Sequence, residues 1–181
     1  MRARMGLYSA QIPHEHREII LKDKPAEMLD ASPKGTVPVL ITKDGKVIDE
    51  SLDIMLWALS QNDPEHWIEG NSRDDIFDLI KRNDGPFKRA LDRYKYPNRY
   101  PDEDCTNARE DGLKILDNLN KRIETHNALS GDKTTLADIA IFPFIRQFAH
   151  VDRDWFYALP LPHLQKWLQE HLASELFTKT M

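Results

Sequence analysis

Apolar positions recur along the chain with two different rhythms, and the change of rhythm divides it. From Met1 to about Gln61, segments with strand spacing are mixed with segments of helical spacing. From about Arg73 onward every periodic segment has helical spacing. Between them Asn62-Asp63-Pro64 and Gly70-Asn71-Ser72 are turn chemistry. The pattern predicts a mixed α/β domain over 1–61, a linker over 62–73 and an all-helical domain over 74–181.

Met1 to Gln11 has helical composition but no capping residue ahead of it, so it reads as a helix already under way. Glu18 to Leu21 is a short apolar run ended by Lys22-Asp23-Lys24-Pro25, which predicts a strand. Val37 to Thr42 and Lys46 to Asp49 are rich in Val and Ile and flank Asp44-Gly45, the dipeptide favoured by a type I′ hairpin turn. Beyond them Leu52, Met55, Leu56 and Leu59 repeat at i, i+3, i+4 and i+7, with Ile54 and Trp57 on a second face. That helix is expected to be buried on two sides.

In the second half the spacing predicts helices near Asp74–Tyr94, Asp102–Thr125, Leu136–Val151 and Pro162–Leu172. Asn83-Asp84-Gly85-Pro86 interrupts the first, because proline removes a backbone donor and crowds the preceding turn. The third is apolar nearly all round, so it is expected at the centre of the bundle. Thr135 and Asp138 are spaced as a capping box at its start.

Composition narrows the function. A net charge of -5 gives no electrostatic reason to expect a nucleic-acid or anionic-membrane partner. No stretch approaches the roughly 20 apolar residues of a membrane span. The single cysteine, Cys105, leaves no intrachain disulfide, no CxxC pair and no multi-cysteine zinc site, and fits a reducing, cytoplasmic setting.

The candidate chemistry lies in Ser32-Pro33-Lys34-Gly35-Thr36-Val37-Pro38-Val39-Leu40, followed after the hairpin by Asp49-Glu50-Ser51-Leu52. Together these resemble the glutathione-binding half of glutathione transferases, most closely the omega-like and bacterial cysteine-type enzymes. Thr135-Leu136-Ala137-Asp138 resembles the capping box on that family's central helix. The resemblance implies a thioredoxin-like N-terminal domain lacking its first strand, followed by an all-helical C-terminal domain. It implies a cis Val37–Pro38 bond, with the Val37 backbone pairing the cysteinyl part of glutathione. It gives the γ-glutamyl carboxylate to Ser51 at a helix N-terminus, the amino group to Glu50, and the glycyl carboxylate to Lys24. The implied activity is glutathione conjugation or glutathione-dependent thiol transfer, with glutathione and an electrophilic or disulfide small molecule as substrates, no metal, and a possible homodimer. A non-catalytic binding or interaction module on the same fold is the alternative.

Cysteine-type members place Cys-Pro-Tyr/Phe-Ala after a first strand, and the helix continuing from it resembles Met1-Arg2-Ala3-Arg4-Met5. That strand and cysteine would lie upstream of Met1, so no catalytic residue is assigned. Tyr8 and Ser9 fall inside a helix and not at a strand tip, and Cys105 stands beside Asp102 and Asp104, whose carboxylates disfavour a thiolate. Without a first strand beside it, Glu18–Leu21 is expected to be frayed, displaced or paired with another chain.

Three lesser signals take simpler readings. His14-Glu15-His16 has no third ligand for a metal. Ser130-Gly131-Asp132-Lys133-Thr134 lacks the glycine spacing and Gly-Lys pair of a phosphate loop. Lys88, Arg89, Arg93, Lys95 and Arg99, interleaved with Tyr94, Tyr96 and Tyr100, read as a surface or pocket rim in an acidic chain.

Overall fold

The computed structural model describes residues 1–68 and 73–181. Part of the expected linker, including Gly70-Asn71-Ser72, therefore lies outside the described residues. The chain divides into two compact units, Met1–Glu65 with Lys179–Met181, and His66–Thr178.

In the first unit the order is α1 (Arg2–Ser9), α2 (Ala26–Ala31), β1 (Leu40–Ile41), β2 (Val47–Ile48) and α3 (Ser51–Gln61). The strands pair antiparallel, Leu40 with Ile48 and Ile41 with Val47. The hairpin stands where the sequence places it, with a different turn. Only Gly45 has positive φ, at +85°; Asp44 does not, which rules out type I′. The Gly45 amide donates to the Thr42 carbonyl at 2.9 Å and the Thr42 amide to Lys46 at 2.9 Å. The loop is therefore three residues long with glycine at its left-handed position, a geometry whose twist also matches the strands.

Glu18–Leu21 forms no strand. Ile20 makes only an isolated bridge to Asp23 within a tight turn, and Ile20 and Leu21 are 69% and 60% exposed. A strand needs a neighbour to satisfy its backbone, and among the described residues none flanks this run. The Glu18 carboxylate instead holds Arg4 and His16, each at 3.3 Å.

The core of this unit joins Ala3, Leu7 and Ala10 from α1 with Ile54 and Ala58 from α3 and Ile48 from β2, while Ile12, Leu40 and Trp57 pack around it. Met55 and Leu59 are also buried, so α3 is covered on two sides as its pattern requires.

The helical unit contains α4 (Arg73–Arg82), α5 (Lys88–Lys95), α6 (Ala108–His126), α7 (Leu136–Ala149), α8 (Arg153–Ala158) and α9 (Pro162–Ala173); α10 (Glu175–Thr180) closes the chain. Between α4 and α5, residues Asn83–Phe87 form a π-helical turn around Pro86. The wider turn passes proline's missing donor without ending the helix. Helix α6 starts six residues later than the spacing suggested, because Pro101 to Asn107 is spent on turns before it.

Helix α7 is the bundle's centre. Phe142, Ile145, Phe148 and Ala140 are fully buried, and each large apolar side chain so placed stabilises by about 1.5–3 kcal/mol. Its capping box is present. Asp138, also fully buried, accepts from the Thr135 amide at 2.8 Å and hydroxyl at 3.0 Å, the Leu129 amide at 2.9 Å and Trp167 Nε1 at 2.9 Å.

Beside this network, the His171 ring lies 4.5 Å from Trp167 and 5.2 Å from Phe142 between centroids. Burial lowers its pKa from the ordinary 6.5, against smaller opposing effects of Asp138 and Glu170. The unfolded chain then binds the proton more readily than the folded one, so His171 contributes stability above pH 6.5 that is lost as pH falls toward its folded pKa. Urea melts from pH 7.5 to 5 are expected to show this loss, and His171→Phe should flatten it. An equal slope in both proteins would contradict the assignment.

Candidate functional site

Four of the five expected site residues sit in two segments that converge beside the hairpin. The first leaves the end of α2. The Ser32 amide donates to Met28 at 2.9 Å and Gly35 donates to Ser32 at 3.0 Å, turning the chain into Val37–Pro38. Gly35 has φ +61° and lies against the Leu29 side chain and the aliphatic stem of Lys24. A Cβ there would come within 3.3 Å of Leu29, so glycine serves both the backbone angle and the close approach. The fifth residue, Lys24, is thereby brought against this loop.

The Val37–Pro38 bond is cis, and Val37 is 48% exposed. Among the described residues its backbone N–H and C=O take no hydrogen-bond partner. An open backbone of this kind can pair with an extended peptide as a strand edge does.

The second segment is the start of α3. Glu50 is its N-cap, in extended conformation at φ -112°, and makes no side-chain cap bond. The first-turn amides are thus open at the positive end of an 11-residue helix, an arrangement suited to a carboxylate. Ser51 stands half-buried at the first helical position. Asp53 in the same turn partly offsets that field.

Sequence reasoning missed the polar network that ties the two segments together. Lys34 Nζ lies 3.3 Å from Asp49 Oδ1 and 3.3 Å from Glu50 Oε1. Ser32, itself buried, donates to Asp49 Oδ2 at 2.9 Å. The Lys34 pKa is raised by its hydrogen bonds to Asp49 and then Glu50. That of Asp49 is lowered, first by the Ser32 hydroxyl and then by Lys34. These partners are 15 to 17 residues apart in sequence, and no periodicity announces such a pairing.

Tyr8 and Ser9 end α1. Cys105 belongs to the helical unit, half-buried ahead of α6. In the basic aromatic stretch, three of the cations meet partners within the chain: Arg93 bonds Glu103 and stacks 4.6 Å from Tyr100, while Arg99 and Lys95 lie 4.2 and 4.9 Å from the Tyr96 ring. His14 contacts the Ile12 carbonyl at 2.8 Å, and among the described residues no three metal-ligating side chains come together. A cavity of about 540 Å³ in the helical unit is lined by residues of α4, α6, α7 and the π-helical turn and includes none of the five site candidates.

Residues 1–67 match the family model described as glutathione S-transferase, N-terminal domain, and residues 85–175 match glutathione S-transferase, C-terminal domain. No curated protein matches the chain. Among solved structures, it is similar to a glutathione transferase of Phanerochaete chrysosporium in complex with oxidized glutathione: TM-score 0.84 at 16% identity, covering 99% of this chain and 88% of that one. It is similar as well to a glutathione S-transferase of Rhodospirillum rubrum F11, with TM-score 0.78, 22% identity and coverage of 99% and 85%. A glutathione S-transferase-I bound with lactoylglutathione gives TM-score 0.79, 22% identity and coverage of 99% and 91%. The fold is thus a thioredoxin-like N-terminal domain with a small two-stranded sheet, followed by a helical C-terminal domain. Among the described residues no helix is long and apolar enough to cross a membrane.

Proposed function

The chain belongs to the glutathione S-transferase family, and from that premise we propose that it binds glutathione through Lys24, Val37, Pro38, Glu50 and Ser51. The observation that carries this reading is the unpartnered backbone of Val37 in the same unit as an uncapped helix N-terminus formed by Glu50 and Ser51. The first suits the cysteinyl peptide group, and the second suits the γ-glutamyl carboxylate, with Glu50 for the ammonium. Lys24, held against the same loop through its stem, supplies a cation for the glycyl carboxylate. The complexes with oxidized glutathione and with lactoylglutathione among the similar structures support glutathione as the ligand.

The corresponding reaction is conjugation of glutathione to an electrophile, or exchange with a disulfide, in the manner of omega-like and cysteine-type members. We place it in the cytoplasm, in a homodimer, with residues 1–61 as the glutathione domain, 62–73 as linker and 74–181 as the helical domain. In conjugation the reacting sulfur is that of glutathione, and the chain's part is to fix the tripeptide and lower the cost of its thiolate. The second reading is a non-catalytic glutathione-binding module. It is favoured by one observation, that the only cysteine, Cys105, belongs to the helical unit and not to the unit bearing the site.

An assay with glutathione and either an aryl halide or a mixed disulfide separates the two. Turnover that falls with Ser51→Ala supports the transferase. Saturable glutathione binding without turnover of either substrate supports the module.

A further inference from the structure

Lys34 is a cation beside the candidate site that the sequence did not nominate, and its two contacts differ in kind. Toward Asp49 it joins an anchored carboxylate, since Asp49 Oδ2 is held at 2.9 Å by the Ser32 hydroxyl, and Ser32 is only 2% exposed. Toward Glu50 it meets a side chain that is 62% exposed, at 3.3 Å, with no other partner for that carboxylate among the described residues. Lys34 is therefore tethered at one carboxylate and lies across the other.

We propose that Lys34 sets the selectivity of this site for ligands with a free α-ammonium group, by occupying Glu50 until the ligand's ammonium replaces it. The inference rests on the reading that Glu50 takes the amino group of glutathione. A lysine ammonium and an α-ammonium are the same kind of species, a compact point charge with three donors. The exchange is cation for cation. Glu50 is paired before and after, and Lys34 keeps Asp49 throughout, so neither charge is left alone. A ligand with a blocked amino group cannot make the exchange; it leaves Lys34 on Glu50 and gains nothing there. Lys34 thus lowers the reward for the correct ligand and shields the wrong one from an unpaired carboxylate.

The test compares dissociation constants of glutathione and N-acetylglutathione, measured by calorimetry on the full chain, as a ratio. Lys34→Met is expected to raise the preference for glutathione about two- to fivefold, the range of one exposed ion pair. Lys34→Arg, which keeps the cation, should restore the original ratio. N-acetylglutathione carries one more negative charge, so loss of Lys34 alone shifts the ratio through the general field. A double-mutant cycle subtracts that effect: in a Glu50→Gln background, Lys34→Met should raise the ratio by the field effect alone, and so by less than in the wild-type background, if Lys34 acts through Glu50. An equal rise in both backgrounds, or no rise in either, overturns the proposal for Lys34. Failure of Glu50→Gln alone to reduce the preference for glutathione overturns the assignment of Glu50 itself, a different outcome.

Discussion

Replacing Asp138 with alanine is expected to cost about 4 kcal/mol, the largest loss from any single substitution considered in the helical unit. The carboxylate is fully buried and takes four donors, from the Leu129 and Thr135 amides, the Thr135 hydroxyl and the Trp167 indole. Thr135 is half-buried and can turn to water, but Leu129 is fully buried and Trp167 is 4% exposed, so their donors are left without partners. Each orphaned buried donor costs about 1–3 kcal/mol, and loss of the helix cap adds about 1. Against a typical total of about 5–15 kcal/mol this removes much of the stability. Urea unfolding checks it, and Asp138→Asn, which keeps one acceptor, should lose about half as much. A loss under about 1 kcal/mol for the alanine variant would show that the network is not the anchor of α7.

Gly6→Ala is expected to cost about 2–3 kcal/mol and to weaken glutathione binding with it, although Gly6 touches no ligand position. A Cβ on Gly6 would lie 2.9 Å from both Cα and Cγ of Met55. The first of these is backbone in α3 and cannot rotate away. Helix α1 must therefore back off from α3, opening the Ala3, Leu7, Ile54 and Ala58 contact and shifting the turn that carries Glu50 and Ser51. Alanine's better helix propensity returns only about 1 kcal/mol. Thermal melting and glutathione titration on the same variant should move together. An unchanged affinity in a destabilised protein would mean that α1 does not position the start of α3.

These two sites also mark the limit of what the sequence discloses. The Thr135–Asp138 box was legible because it is local, two residues at fixed spacing before an apolar helix. Its further bonds to Leu129 and Trp167 were not, since the first depends on how the segment ahead of α7 folds back and the second on how α9 packs on α7. The hairpin was legible from Asp44-Gly45, while the choice of a three-residue loop over a two-residue one was not, because either register suits those residues. Glu18–Leu21 has the composition of a strand and, lacking a neighbour, forms none, in line with the expectation that it would fray or be displaced: strand propensity describes the fit to a sheet already there. Helices α2, α8 and α10, each six residues long, carry too few turns for a period to show. In the proposed site, Val37, Pro38, Glu50 and Ser51 were visible as contiguous motifs, and Lys34 became visible only when the fold brought residue 34 to residues 49 and 50.

The central claim, that this chain holds glutathione on the residues named, is tested most directly by calorimetric titration of glutathione into the wild-type chain and into the Ser51→Ala, Lys24→Ala double variant. The account predicts one saturable site in the wild type and a loss of at least about tenfold in affinity in the double variant, with an unchanged melting temperature. Equal affinity in the two proteins, or no binding to the wild type, would contradict it.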